Sequence, residues 1–425
     1  MIKKTLGTGI LAASAAALMA TSATAGGYGR GSVDVAPLLG DGLTAGGGFT
    51  IVSPTRRITA VNGTATTGNA RTDFASTYVV PNAFASSPIA GSEARCMAGY
   101  TQPYGAKADY GSAQILTAAV TGTGQPISTT TANELSSHEL GLTCSYGFDA
   151  GPVKAYIIGG AFAQYVSYTE TKGAIVGGNF TDNIANLSGD DTGFGYRVGL
   201  GISKEDIALK ASLVYRSRVN HNVTGTQTLG PIAAAGAAAS STLTAAQLAG
   251  TYGFTAAATT PQSLKLSFQT GIAPKTLLFG SVEWTDWSVL QQVQVLGNGT
   301  GTATAAALVN GRPTPGSPTI DAFFRDGWTV NIGAARQLTE KASILGAYTW
   351  DRGTGSGRSG FSDTHTLAAG VNYKANDNLS VRAGLAYSYL TSVTYNTTDI
   401  ANNAVTVTNG AGNALAGALS VSLTF

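Results

Sequence analysis

Apolar and polar positions alternate with a period of two in segment after segment of this 425-residue chain. In residues 207–216, Ile207, Leu209, Ala211, Leu213 and Tyr215 interleave with Ala208, Lys210, Ser212, Val214 and Arg216. In residues 379–388, Leu379, Val381, Ala383, Leu385 and Tyr387 interleave with Ser380, Arg382, Gly384, Ala386 and Ser388. A period of two sends the two sets to opposite faces of a β-strand. Each segment has roughly the 9–11 residues that a tilted strand needs to cross a bilayer. Burying both faces in a soluble core would strand Lys210 or Arg382 away from water. A transmembrane barrel removes that conflict, with apolar side chains against lipid and polar ones lining a wet lumen. The pattern is sharpest at the C-terminus, where Leu415, Gly417, Leu419, Val421, Leu423 and Phe425 alternate with Ala416, Ala418, Ser420, Ser422 and Thr424. That stretch reads as the closing strand of an outer-membrane barrel, and terminal Phe425 is expected to engage the barrel-assembly machinery.

The connections alternate in length. Short polar turns stand at Phe148-Asp149-Ala150-Gly151, Ser203-Lys204-Glu205-Asp206, Ala273-Pro274-Lys275, Leu338-Thr339-Glu340-Lys341 and Ala375-Asn376-Asp377-Asn378. Between them lie long Gly/Thr/Ala/Asn-rich stretches, chiefly 172–190, 221–260, 297–322 and 396–412. Short turns belong on the periplasmic side and long loops outside. With earlier strands near 43–57, 73–85, 94–110 and 134–147, the reading is all-β, a fourteen-stranded antiparallel transmembrane β-barrel with a short N-terminal plug segment. Residues 231–250, nearly all Ala, Gly, Ser, Thr and Leu, read either as a short helix packed over the barrel mouth or as a low-complexity loop with no fixed structure, the helix being slightly favoured.

Lys3 and Lys4 precede an Ala-rich apolar run and the small-x-small site Ala23-Thr24-Ala25. Residues 1–25 therefore read as a secretory signal peptide, 26–42 as the plug segment and 43–425 as the barrel. Removing 1–25 takes two lysines and no acids, which leaves 23 basic and 23 acidic residues. A balanced chain without clustered Lys and Arg does not suit nucleic-acid binding. Only 11% of residues are charged, yet after the leader no apolar run of about 18 residues forms a spanning helix, so the composition favours a barrel over a helical membrane protein.

Five motifs resemble one family. They are Gln102-Pro103-Tyr104-Gly105-Ala106-Lys107-Ala108-Asp109-Tyr110, Tyr215-Arg216-Ser217, Pro261-Gln262-Ser263-Leu264, Val282-Glu283-Trp284-Thr285-Asp286-Trp287-Ser288 and Phe324-Arg325-Asp326-Gly327-Trp328. In order and spacing the chain is similar to the FadL-type long-chain fatty-acid and hydrocarbon transporters of Gram-negative outer membranes (OmpP1/FadL/TodX-like). The resemblance implies a monomeric barrel with an N-terminal hatch, capture of hydrophobic ligands outside, and sideways release into outer-membrane lipid at a kinked third strand. The family's hatch is longer and contains an Asn-Pro-Ala element; here Ala36-Pro37-Leu38 is the nearest remnant.

Pro103 and Gly105 are the candidates for a lateral opening, because proline lacks a ladder donor and glycine packs poorly in a strand. The plainer reading is that they end the third strand early. Assigning faces strand by strand sends Arg197, Lys210, Arg216, Arg218, Lys265 and Arg382 to the lumen against Glu283 and Asp351, a net basic interior. Two readings stay open: these cations bind a ligand carboxylate while Phe279 and Trp287 contact its apolar part, or they form an internal ion-pair network that supports the wall. Cys96 and Cys144 fall near the periplasmic ends of adjacent strands, where an oxidising compartment permits a disulfide.

Enzyme motifs are missing. His138, His221 and His365 lack His-Glu-x-x-His spacing, there is no Gly-x-Ser-x-Gly, and 27–32 neither follows a strand nor contains a P-loop lysine. No cofactor and no metal is expected. The function expected is passive uptake of hydrophobic compounds (long-chain fatty acids or related hydrocarbons) across the outer membrane with lateral release near the third strand, and a nonselective diffusion porin is the alternative.

Overall fold

Leu43 and Phe425 exchange backbone hydrogen bonds across almost the whole length of the chain: the Leu43 N–H donates to the Phe425 carbonyl at 3.2 Å and the Phe425 N–H to the Leu43 carbonyl at 2.8 Å. That contact closes a sheet on itself. The computed structural model describes residues 27–66, 73–111, 127–176, 179–239, 241–315, 319–398 and 404–425, so the signal peptide expected at 1–25 lies outside the described residues. Fourteen antiparallel strands build the wall. They are β1 (Thr44–Thr55), β2 (Tyr78–Pro88), β3 (Ala94–Thr101 and Gly105–Asp109), β4 (Ile127–Ala150), β5 (Val153–Val176), β6 (Asn179–Lys204) and β7 (Leu209–Arg216 and Val219–Leu229). The second half runs β8 (Gly250–Thr260 and Ser263–Ala273), β9 (Thr276–Thr285), β10 (Gly327–Gln337), β11 (Ala342–Asp351), β12 (Thr364–Lys374), β13 (Leu379–Leu390) and β14 (Gly412–Thr424). Closure joins β1 to β14 in unbroken register from Thr44↔Thr424 to Thr55↔Asn413, so neither edge is left open.

The outer face shows why the alternation is needed. On β4, Leu140, Leu142, Tyr146 and Phe148 point outward and are exposed, as are Phe194, Tyr196, Val198 and Leu200 on β6. Leu385 is 75% exposed and Phe194 76%, a degree of apolar exposure that lipid accommodates and water does not. Above that band on β4 the outward positions turn polar at His138, Ser136 and Glu134. His138 accepts or donates a 2.7 Å hydrogen bond with Tyr100 and lies beside Tyr165, and His365 makes a 2.8 Å bond with Tyr348. Such aromatic residues with one polar end mark the upper interfacial girdle.

Two expectations change. The stretch 172–190 is not mainly a loop: β5 has 24 residues and β6 has 26, paired nearly to their tips. At about 3.3 Å per residue each strand is ~80 Å long, far beyond a bilayer, so the ladder continues into water. There no face has to be apolar and the alternation fades. The stretch 221–260 likewise contains the upper halves of β7 and β8, leaving a shorter connection that holds helices α1 (Pro231–Ala238) and α2 (Ala245–Leu248). Helix α2 starts at a capping box in which Thr244 and Gln247 satisfy each other's backbone N–H. Both helices pack on Ile184, Leu229, Tyr252 and Val309, an apolar cap above the barrel.

The lumen is layered. At the short-turn end, a 3-10 turn (Ala36–Leu39) buries Leu38 and Leu39 with Val35 against Met97, Tyr156 and Ile158 of the wall, and the Ser145 hydroxyl donates to the Leu38 carbonyl at 2.8 Å. The chain from there back to residue 27 climbs inside the barrel toward β3. At the top, Tyr28, Tyr104, Trp287, Phe324 and Phe361 meet edge to face, with ring centroids 5.0–6.2 Å apart.

Candidate functional site

The wall loses its regularity at residues 102–104. The ladder between β2 and β3 runs from Pro88↔Arg95 to Asn82↔Thr101 and stops, although β2 itself continues to Tyr78 along β1. On the other side β3 pairs with β4 as far as Thr101↔Glu139 and resumes at Gly105↔Ser136. Pro103 has no N–H to offer a ladder. Ser137 of β4 takes over for Tyr104: its hydroxyl accepts from the Tyr104 N–H at 2.8 Å and donates to the Tyr104 carbonyl at 2.7 Å. The break lies next to His138 and Tyr100, at the level of the girdle.

From inside, the N-terminal segment covers the break. The Arg30 N–H donates to the Pro103 carbonyl and the Gly105 N–H to the Tyr28 carbonyl, both at 2.8 Å, while Gly29 bridges Tyr104. The Arg30 guanidinium lies 4.1 Å from the Tyr78 ring centroid. It also occupies the space beside Gly105, where any Cβ would stand 2.5 Å from Arg30 Nε and Cζ. Burial pulls the Arg30 guanidinium below its ordinary value, opposed by Tyr78 and Glu134. Glycine at 105 thus leaves the space that the Arg30 guanidinium fills.

Below the aromatic layer lies a cavity of about 140 Å³. Its wall includes Pro103, Tyr104, Glu139, Arg197, Arg216, Lys265, Phe279, Glu283 and Trp287, with Ser32, Val33, Asp34 and Val35 from the N-terminal segment. Glu139 of β4 is 1% exposed and accepts from Arg197 of β6 through one oxygen and from Arg216 of β7 through the other, the latter at 2.6 Å. Arg216 Nη1 also donates to the Tyr104 hydroxyl at 3.0 Å and to the Pro261 carbonyl at 3.1 Å. These contacts have a structural cause. Both β7 and β8 break step at 217–218 and 261–262, and the carbonyl released at Pro261 points to Arg216 and to the Tyr104 hydroxyl, 3.1 Å away. Further up, Gln164 links Glu139 to His221, and His221 links to Asp191 at 3.0 Å. Across the cavity, Lys265 Nζ lies 3.4 Å from Glu283 and donates to Ser32 at 2.7 Å.

The structure gathers Pro103, Arg197, Arg216, Lys265, Phe279, Glu283 and Trp287 around this one cavity, and it sets Gly105 at the break beside it. It does not gather the rest. Arg218 is exposed, because seven residues of β7 (217–223) stand against six of β6 (191–196) and the extra residue reverses the facing. Lys210 points inward lower down, with Nζ near Gly40 of the plug, and Arg382 donates to Asn372 at 3.1 Å on the same lower level. A net basic cavity is not found. Its lining has three cations (Arg197, Arg216, Lys265) and three carboxylates (Asp34, Glu139, Glu283). Glu139 was legible in principle, since it alternates with outward Leu140 and Leu142. Asp351 is buried and accepts from Thr329 rather than from a cation.

Cys96 and Cys144 are direct partners in the β3–β4 register and are joined as a disulfide, below the break and on the outward phase shared with Leu140 and Leu142. Among the described residues no group of three or more His, Cys, Asp or Glu side chains is arranged to hold a metal ion.

A family model described as outer membrane protein transport protein (OMPP1/FadL/TodX) matches residues 38–421. Among solved structures, a Pseudomonas aeruginosa FadL homologue superposes with a TM-score of 0.69, covering 92% of each chain at 13% identity. The Pseudomonas putida toluene transporter TodX gives 0.57 over 96% of each chain at 13% identity. The Ralstonia pickettii toluene transporter TbuX gives 0.55 over 92% of this chain and 91% of that one, also at 13%. Curated protein sequences give no match. At such identities the structural likeness carries the fold alone.

Proposed function

The chain belongs to the OMPP1/FadL/TodX family of outer-membrane transport proteins, and on that premise we propose that it admits small hydrophobic compounds by passive diffusion and releases them sideways through the wall at the β3 break. It is a transport protein of the Gram-negative outer membrane and not an enzyme. The observation that carries the lateral route is the interrupted ladder at 102–104, which borders both the cavity and the girdle level of the wall. An apolar solute leaving there enters the outer leaflet directly. Passage down the axis would instead take it past the buried plug turn that packs against the wall at the short-turn end. The toluene transporters among the structural relatives support a one-ring hydrocarbon as cargo.

The test compares cells with and without the protein for uptake of labelled toluene and labelled maltose. The expected result is faster toluene entry with maltose entry unchanged. Equal acceleration of both would make the protein a nonselective porin, and no acceleration of either would remove the transport reading.

A further inference from the structure

Strand β3 carries one residue more than β4 needs. Below the break the two strands pair from Ala94↔Tyr146 to Thr101↔Glu139, and above it from Gly105↔Ser136 to Asp109↔Ala132. Four steps along β3, from Thr101 to Gly105, therefore span three along β4, from Glu139 to Ser136. The lower pairing extended upward would set Gly105 against Leu135, and the upper pairing extended downward would set Cys96 against Ser145. The break is thus the seam between two registers one residue apart.

Pro103 does not hold the two registers apart. Its carbonyl accepts from Arg30 and the Gly105 N–H donates to Tyr28, whereas the Tyr104 N–H and carbonyl both meet Ser137 of β4. In an antiparallel strand the N–H and C=O of one residue point to the same neighbour, so the donor that Pro103 lacks is missing on the side away from β4. Sliding the lower half of β3 down by one residue would put Arg95 opposite Tyr146 and Thr101 opposite Leu140, join both ladders into one, and pass the extra residue into the turn at 89–93, where every residue is exposed. Surface turns accept an added residue at small cost.

The side-chain pattern specifies this stretch less sharply than it does β13 or β14. The slide would exchange the faces of Ala94, Cys96, Ala98 and Tyr100, which point outward, with those of Arg95, Met97, Gly99 and Thr101, which point inward. The small residues among them suit either face. Against the slide stand the Tyr100 bond to His138 at 2.7 Å, the Arg95 bond to Ser86 at 2.8 Å and the packing of Met97 on the plug turn. Arg95 stands beside the turn, where a long cationic side chain reaches the interface from either face. A covalent bond adds what the pattern supplies only in part. Cys96 and Cys144 are partners in the lower register alone, and they are joined.

From this we propose that the Cys96–Cys144 disulfide is a register lock: it holds the lower half of β3 in step with β4 and so keeps the extra residue, and with it the break in the wall, at 102–104. The inference stands apart from the transport reading, since it concerns where the wall is broken and not what passes through it.

The test moves one cysteine by one place. In Cys144→Ser/Ser145→Cys the residue opposite Cys96 in the slid register carries a thiol. In the register of the unaltered protein Cys96 faces outward and residue 145 inward, where its hydroxyl meets the Leu38 carbonyl, and side chains aimed apart do not form a bond. Free thiols of the purified, heat-modifiable barrel are blocked under denaturing conditions, and the 96–145 bond is read by mass spectrometry after proteolysis. Most of the folded protein is expected to carry the bond. Folded protein with both thiols free overturns the proposal, because the register then holds without the native disulfide. Cys96→Ser/Cys144→Ser gives a second readout that does not depend on the relocated thiol. Hydrogen exchange at the Gln102 and Tyr104 amides is expected to slow to the rate of the paired amides at 105–109 as the ladder closes, and exchange equal to that of the unaltered protein overturns the proposal. Absence of folded barrel from both variants also overturns it, since the bond would then be required for folding as such rather than for register.

Discussion

Glu139 joins three strands of the barrel from the inside. A carboxylate at 1% exposure with a guanidinium on each oxygen ties β4, β6 and β7 across the lumen. Removing one member of such a group leaves an uncompensated buried charge, a loss of roughly 3–5 kcal/mol. Glu139→Gln should accordingly lower the urea midpoint of the folded barrel and shift its heat-modifiable band to lower temperature, whereas an unchanged midpoint would mean that the two arginines are adequately solvated without it. At this scale the sequence was partly legible. Arg197, Arg216, Lys265 and Glu283 follow from strict alternation with outward Leu and Val. Arg218 did not, because a single extra residue in β7 inverts the phase and no sequence pattern marks where a bulge absorbs it. Asp34 was hidden for another reason: it belongs to no strand, so alternation says nothing of its direction.

Among the elements, those inside the bilayer were the readable ones. Strands such as β13 and β14 show clean alternation because lipid on one side and water on the other penalise each misplaced residue. Once β5 and β6 rise into water that penalty lapses, and their Thr-, Asn- and Gly-rich upper halves resemble loops. The break in β3 was readable from Pro103, whereas its covering by residues 28–30 was not, since antiparallel contact between distant segments leaves no local trace. The closing seam depends on the last residue of β14's segment, Phe425. Phe425 contributes both backbone hydrogen bonds to Leu43 at the end of the β1–β14 pairing, and its side chain is 65% exposed on the outside. Deletion of Phe425 removes the bonds and the aromatic end together, whereas Phe425→Ala removes only the latter. Both variants should reach the membrane in reduced amount as heat-modifiable protein, with the deletion worse. Normal levels of both would show that neither contact assists assembly.

For the whole molecule, fold and compartment followed from a few physical requirements: alternation, short turns against long loops, and a balanced charge with no spanning helix. Three layers fill the barrel, namely an apolar plug turn, an ion-paired belt with its cavity, and an aromatic roof, and the ladder break in β3 opens at the level of the belt. The transport route therefore turns on whether cargo leaves through that wall. The most direct measurement replaces Gln102 and Pro103 by Thr and Val, which restores a ladder donor at 103 while keeping Tyr104 and Gly105 against Arg216 and the N-terminal segment, and follows labelled toluene uptake in cells with matched amounts of folded surface protein. Uptake falling to the level of cells without the protein is the predicted result. Uptake equal to that of the unaltered protein would contradict lateral release and send the cargo down the barrel axis.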